Sequence, residues 1–144
     1  MPRQAPPRAR IHKATLAGFD WGARTANIVA ALWPERCKAL VSVSGYLIGS
    51  QEAGRTPLPR LGLAQGEAQY DELEERLSAA PGITVPTITL EGDANGEPHP
   101  EPASYARKFS GKYAHRTIEG GVGHNLPQEA PQAFAQAVMD VEHI

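Results

Sequence analysis

The stretch ATLAGFDWG, residues 14–22, decides how this chain folds. Its first part, residues 14–19, is a short apolar run that predicts a buried strand. Its last residue opens the segment 22–33, whose apolar residues fall on one helical face until Pro34 ends the hydrogen-bond ladder. The stretch therefore predicts a strand, a tight turn with Asp20 at its apex, and a helix.

Small residues flank this apex. Gly18 and Gly22 stand on either side of Asp20. A strand-to-helix turn of this kind is strained, and it needs small residues because the helix packs close to the strand. The apex side chain then lies at the carboxyl edge of the sheet, where open α/β sheets bind ligands. The pattern is typical of a nucleophile elbow with aspartate in the place of serine, although an aspartate before a helix also serves as an N-cap.

The rest of the chain continues the alternation of strand and helix. Such an alternation indicates the α/β class, with a parallel sheet of about four strands and helices on both faces. We expect residues 13–144 to form one domain and residues 1–12, rich in proline and arginine, to be a disordered tail. Further strands are predicted over residues 39–44, 83–90 and 114–118, and helices over residues 65–77, 103–109 and 129–141.

Charge and composition exclude several classes of protein. The formal net charge is −2, which gives no electrostatic basis for binding nucleic acid or an anionic membrane. No apolar run reaches the roughly 18 residues that a membrane-spanning helix needs. Cys37 is the only cysteine, so an internal disulfide is excluded and a reducing, cytoplasmic location is expected.

An acid and a histidine follow the last two predicted strands. Asp93 comes shortly after residues 83–90, and His124 lies in a glycine-rich turn after residues 114–118. The chain order nucleophile, acid, histidine is the one expected of an α/β-hydrolase. Each residue also has a simpler reading, because Asp93 is a common turn residue and His124 could be a solvated loop histidine.

Three segments carry a more specific resemblance. They are LAGFDWGARTANIVAALWPER at residues 16–36, VPTITLEGD at 85–93 and GGVGHNLPQEAPQAFAQAV at 120–138. These segments resemble the elbow, the strand leading to the acid, and the histidine loop with the final helix of the aspartate-nucleophile branch of the α/β-hydrolase superfamily, which holds the epoxide hydrolases and the haloalkane-type dehalogenases. Only the later, C-terminal part of a family member is matched.

The resemblance implies a mechanism and a set of site residues. Asp20 would attack an electrophilic carbon of an epoxide, halide or ester and form a covalent ester. His124 would activate the water that hydrolyses this ester, and Asp93 would orient the histidine. The N–H of Trp21 would supply half of an oxyanion hole, and its side chain would help hold a leaving halide. The partner implied is a small-molecule substrate, with no metal and no cofactor.

The chain also departs from the family pattern. The family's Gly-x-x-Asp loop would place Asn95, not Asp93, at the position of the acid. The family has several strands before the elbow, and this sequence offers no counterpart for them. The family also inserts a helical cap after the strand at 39–44, and this cap too has no counterpart. We therefore expect a truncated domain in which the strand at residues 14–19 is left as an open edge. Three functions follow as expectations: a hydrolase, a catalytically inactive remnant of one, or an association module that pairs with a second chain, including a second copy, through that edge.

Overall fold

Four parallel strands form the centre of the molecule. The computed structural model describes residues 11–45, 68–96 and 106–144. Within them the strands lie in the order β1-β2-β3-β4, and each pair of neighbours is parallel. The predicted parallel sheet of about four strands is confirmed. The strands are β1 Ala14–Phe19, β2 Cys37–Val43, β3 Thr87–Gly92 and β4 Tyr113–Ile118.

Helices cover both faces of this sheet, as predicted. Two apolar layers, one on each face, hold the structure together. On one face α1 packs on β1 and β2 around Ala30 and Leu40. On the other face α4 packs around Val41 and Ala137. The helices are α1 Trp21–Leu32, α2 Asp71–Ser78, α3 Leu126–Glu129 and α4 Pro131–Asp140, and single 3₁₀ turns occupy Pro34–Arg36 and Ala68–Tyr70.

Prolines account for the two clearest differences from the predicted elements. The third strand begins at Thr87, not at residue 83, because Pro86 has no N–H to donate to a ladder, and Ile83 forms only an isolated bridge with Phe109. The last helix, predicted over residues 129–141, is broken at Ala130, whose φ of −135° is not helical. The ring of Pro131 disfavours helical backbone at the residue before it.

Two predicted helices lie partly outside the described residues. The helix predicted over residues 65–77 corresponds to the 3₁₀ turn and α2, with residues 65–67 not described. Residues 103–105 of the helix predicted over 103–109 are likewise not described, and Phe109 takes part in a β-bridge instead.

The outer side of β1 faces no other strand among the described residues, because the strand order places β1 at an edge. The predicted tail, residues 1–12, lies outside the described residues except for its last two positions, and the segment after β2 that would hold a cap also lies outside them. Across the described ranges, no helix is long and apolar enough to cross a bilayer.

Candidate active site

Asp20 occupies the apex of a strained turn between β1 and α1. Its φ is 51° and its ψ is −121°, a backbone conformation that residues with a Cβ rarely adopt. The turn is held by the Asp20 N–H, which donates to the carbonyl of Val43 at 3.0 Å. Asp20 occupies the N-cap position of α1, but its carboxylate makes no capping hydrogen bond to the helix. The side chain stands 39% exposed at the carboxyl end of β1.

The two glycines beside the apex are not equivalent. A Cβ on Gly18 would lie 2.4 Å from the carbonyl oxygen of Gly22, so only glycine fits there. A Cβ on Gly22 would meet nothing within 4 Å. A third glycine, Gly45, matters instead, because its Cβ would lie 2.2 Å from the Cβ of Ala23 in α1. The predicted need for small residues therefore holds before the apex but not after it.

His124 reaches Asp20 from the far edge of the sheet. It lies beyond β4, three strand spacings or about 14 Å from β1, so its turn must cross the ends of β2 and β3. Its Nε2 atom lies 3.8 Å from Asp20 Oδ1, and the edge of its ring meets the ring of Phe19 with centroids 6.2 Å apart. This separation is long for a direct hydrogen bond, and the half-exposed histidine is open to water.

Asn95, and not Asp93, contacts the histidine. The Oδ1 atom of Asn95 lies 3.1 Å from His124 Nδ1, and its amide nitrogen donates to Ser44 Oγ at 3.5 Å. Because an amide oxygen only accepts, this contact is a hydrogen bond in the tautomer that carries its proton on Nδ1, and that tautomer leaves the Nε2 lone pair on the side of Asp20. The contact expected of Asp93 is thus made by the residue two positions later.

Asp93 instead binds the backbone of the turn that carries His124. Its two carboxylate oxygens accept hydrogen bonds from the N–H groups of Gly120, Gly121 and Val122 at 2.9 to 3.3 Å. The hydrogen bonds from these N–H groups hold the pKa of the Asp93 carboxyl below its ordinary value, and those from Gly120 and Gly121 have the largest effect. The geometry gives Asp93 contacts with the backbone and none with the imidazole.

A second carboxylate, which the sequence interpretation missed, holds the same turn. Glu129 accepts hydrogen bonds from the N–H groups of Gly123 and Asn125, on either side of His124. A signal for this contact does exist in the sequence. An acidic residue in the first turn of a helix often reaches back to the N–H of the N-cap, and Asn125 is the N-cap of α3.

The side chain of Trp21 lies on the surface. It is 67% exposed, and the guanidinium of Arg24 stacks over its ring at 4.5 Å. Its role in holding a leaving group stays a prediction. Its N–H belongs to the first residue of α1, where backbone donors have no partner within the helix.

No cluster of three or more His, Cys, Asp or Glu side chains suited to a metal ion occurs in the part of the chain that the structure describes. His124 lies beside Asp20, Asn95 contacts His124, and the carboxylates of Asp93 and Glu129 bind the backbone of the turn that carries the histidine. Such a set can perform nucleophilic attack through Asp20 and proton transfer through His124.

Comparison with known proteins places this chain in a family. The sequence matches no model of a protein family and no curated protein. Among solved structures, a protein from Klebsiella pneumoniae subsp. pneumoniae MGH 78578, provisionally described as an epoxide hydrolase, is 45% identical, with a TM-score of 0.81 over 93% of this chain and 68% of its own.

More distant structures share the fold alone. A mutant of the Vigna radiata epoxide hydrolase is 12% identical, with a TM-score of 0.63 over 91% of this chain and 70% of its own. Epoxide hydrolase A from Mycobacterium thermoresistibile is 17% identical, with a TM-score of 0.56 over 90% of this chain and 69% of its own. The identity to the Klebsiella protein, over more than two thirds of that protein, shows that this chain belongs to the α/β-hydrolase family and comprises part of its fold.

Proposed function

We propose that this chain hydrolyses an electrophilic small molecule through a covalent ester on Asp20. The observation that carries the proposal is the pairing of two groups. A carboxylate stands at a strained, exposed apex, and the Nε2 atom of an imidazole lies 3.8 Å away. Among epoxide, halide and ester carbons we favour the epoxide, because the relative from Klebsiella is described as an epoxide hydrolase.

The first step uses Asp20 as the nucleophile. An oxygen of its carboxylate attacks one ring carbon of the epoxide, and the bond from that carbon to the ring oxygen breaks. The ring oxygen keeps the electron pair and takes one proton from solvent. The product of this step is a hydroxyalkyl ester of Asp20. The N–H of Trp21, at the start of α1, is the backbone donor available to the carbonyl oxygen of this ester when water attacks.

The second step uses His124. Its Nε2 takes a proton from a water molecule while the water oxygen attacks the ester carbon of Asp20. The tetrahedral centre then collapses, the bond to the alkyl-bearing oxygen breaks, and that oxygen receives the proton from His124. The diol leaves with an oxygen that belonged to Asp20. The second proton of the water passes to solvent, which returns the proton taken up in the first step, and the carboxylate is regenerated with an oxygen from water.

Asn95 sets a limit on the rate of this step. Its amide oxygen fixes the Nδ1–H tautomer as a carboxylate would. It carries no charge, however, so it stabilises the imidazolium that forms after proton transfer less well than a carboxylate does. We therefore expect slow breakdown of the ester, and an intermediate that accumulates enough to be observed.

The test is to trap that intermediate. The purified chain is incubated with a reactive epoxide such as styrene oxide and quenched in acid, and the peptide that contains Asp20 is examined by mass spectrometry. We expect this peptide to gain the mass of the epoxide, and His124→Gln to accumulate more adduct than the wild type because water activation is lost. Asp20→Asn is the matched control and should show none.

Isotope labelling gives an independent readout. After many turnovers in water enriched in oxygen-18, the carboxylate of Asp20 should carry the label, since each cycle replaces one of its oxygens. Adduct and label both absent with epoxide, haloalkane and ester substrates would contradict the proposal and leave the inactive remnant as the remaining reading. An adduct formed only with a haloalkane or an ester would keep the mechanism and change the substrate class.

A second candidate function is association through the edge of β1. The observation that favours it is an edge strand, Ala14–Phe19, that contains neither charge nor proline, the two features that commonly protect such edges. Ala17 is exposed on this strand, so Ala17→Lys adds a blocking charge without entering the core. The molar mass from light scattering should fall in this variant and not in Ala79→Lys, which alters an exposed position at the end of α2. A monomeric wild type would contradict this candidate.

A further inference from the structure

One carboxylate, that of Glu129, brackets His124. Its Oε2 accepts a hydrogen bond from the N–H of Gly123 at 2.7 Å, and its Oε1 accepts one from the N–H of Asn125 at 3.1 Å. A single side chain thus fixes the peptide groups before and after the histidine. We propose that Glu129 is a positioning residue for His124, which rests on the function proposed above and adds a residue to it.

Helix capping alone does not explain both contacts. The bond to Asn125 satisfies the N–H of the N-cap of α3, as in a reach-back capping arrangement. The bond to Gly123 is the shorter of the two, and it reaches a residue that precedes the N-cap by two positions and lies outside the helix. This second bond contributes nothing to the ladder of α3, so its effect falls on the turn that carries His124.

The absence of a side chain at residue 123 allows this approach. A Cβ on Gly123 would lie 3.1 Å from Glu129 Oε1 and 3.2 Å from Oε2, tighter than ordinary packing, so the carboxylate would have to withdraw. Asp93 holds the preceding part of the turn in the same way, through Gly120 to Val122. Two carboxylates therefore support the turn along its crossing of the sheet, and Glu129 is the one that binds the backbone on either side of His124.

The mechanism supplies a readout that separates positioning from general stability. His124 acts only when the ester is hydrolysed, not when it forms. Displacing a reacting group by about 1 Å costs on the order of 100-fold in rate. Loss of Glu129 should therefore slow breakdown of the Asp20 ester by about 100-fold while the rate of ester formation changes by less than about twofold.

The experiment follows both steps in single-turnover reactions of Glu129→Gln and Glu129→Ala with styrene oxide. Glutamine keeps the volume but turns an NH₂ group toward one of the two N–H donors, so it retains one bond and should lie between the wild type and alanine. Gly123→Ala disturbs the same contact from the other side and should slow the same step. Glu75→Gln, at an exposed glutamate of α2, is the matched control and should change neither rate.

Nuclear magnetic resonance of the His124 ring nitrogens detects displacement of the ring in the absence of substrate. The wild type should show the proton on Nδ1, and Glu129→Ala should show a mixture of tautomers as the ring leaves Asn95. Equal slowing of both chemical steps, or an unchanged tautomer in Glu129→Ala, would overturn the positioning role. If no variant forms an ester, the proposed function fails, and the tautomer alone then decides whether Glu129 positions the ring.

Discussion

The two turns that form the candidate site are held by opposite means. The elbow at Asp20 is fixed by its own backbone, through a positive φ and the close packing of Gly18 on the start of α1. The histidine turn, residues 119–125, is fixed from outside by Asp93 and Glu129, whose carboxylates accept hydrogen bonds from its backbone. The first turn is a local steric device, and the second is a long crossing that depends on side chains elsewhere in the chain.

This difference follows from where the turns begin. The elbow links β1 to a helix that packs directly against it, and the N–H of Asp20 adds one backbone hydrogen bond to Val43 of β2. The histidine turn must carry its side chain across the ends of two strands, and a glycine-rich segment loses much conformational entropy when it is ordered in this way. Charge-assisted hydrogen bonds to backbone N–H groups offset part of that cost.

The largest effect is expected from one methyl group in the elbow. Gly18→Ala places a Cβ 2.4 Å from a backbone oxygen, and overpacking of this kind should lower the free energy of unfolding by about 3 kcal/mol. Gly22→Ala is the matched control: its Cβ meets nothing, and the higher helix propensity of alanine should stabilise the chain by up to about 1 kcal/mol. Urea denaturation followed by circular dichroism measures both. Equal effects would show that the elbow is not sterically fixed.

A smaller, pH-dependent effect is expected in the histidine turn. Asp93→Asn removes the charge and one acceptor oxygen from the backbone contacts. Because folding lowers the pKa of this carboxyl, its contribution to stability is present above its ordinary pKa of about 4 and is lost as the pH falls toward the lower pKa of the folded state.

The urea midpoint of Asp93→Asn should therefore lie below that of the wild type at neutral pH. The two midpoints should converge as the pH falls below about 4. Asp71→Asn, at an exposed carboxylate in the first turn of α2, serves as a control for the loss of a surface charge. A difference between Asp93→Asn and the wild type that does not change with pH would contradict the role of the ionised carboxylate.

The elements that the sequence predicted well are those set by local pattern. The bounds of β1 were predicted to the residue, and the four parallel strands follow from the alternation of apolar runs with helical faces. The start of β3 and the break at Ala130 were not predicted. In both cases a proline changes the backbone conformation or hydrogen bonding of its neighbours but leaves the apolar pattern around it unchanged.

The residues of the candidate site show the same distinction between what local pattern predicts and what it does not. The meeting of Asp20 and His124 was predictable, because both follow strands of one parallel sheet and carboxyl ends share an edge. The contact between Asn95 and His124 agrees with the family's Gly-x-x-Asp spacing, whereas the chain order of acid and histidine alone pointed to Asp93, because a displacement of two residues within a turn leaves no periodic trace. The contact between Glu129 and Asn125 has a local signal, the position of Glu129 in the first turn after the N-cap, whereas the contact with Gly123 depends on the path of the loop, which spacing along the chain does not specify.

The smallest predicted effect is the difference in stability between glycine and alanine variants, and its sign should be opposite in the two turns. Asp20 holds a positive φ that a Cβ disfavours, so Asp20→Gly should be more stable than Asp20→Ala by about 1 kcal/mol, after the entropy cost of glycine is subtracted from the strain released. His124 is not among the residues with positive φ, so His124→Gly should be less stable than His124→Ala by about 0.5–1 kcal/mol.

Each pair removes the functional side chain in both members, so the difference within a pair reports only on the backbone. Urea denaturation of the four variants at one pH measures both differences. Opposite signs would show that strain is stored at the nucleophile and not at the histidine, where side-chain contacts hold an unstrained turn. The same sign in both pairs would remove the distinction between the turns. A gain in stability from alanine to glycine at position 20 is what a strained functional residue implies, since its conformation is maintained against the preference of its own backbone.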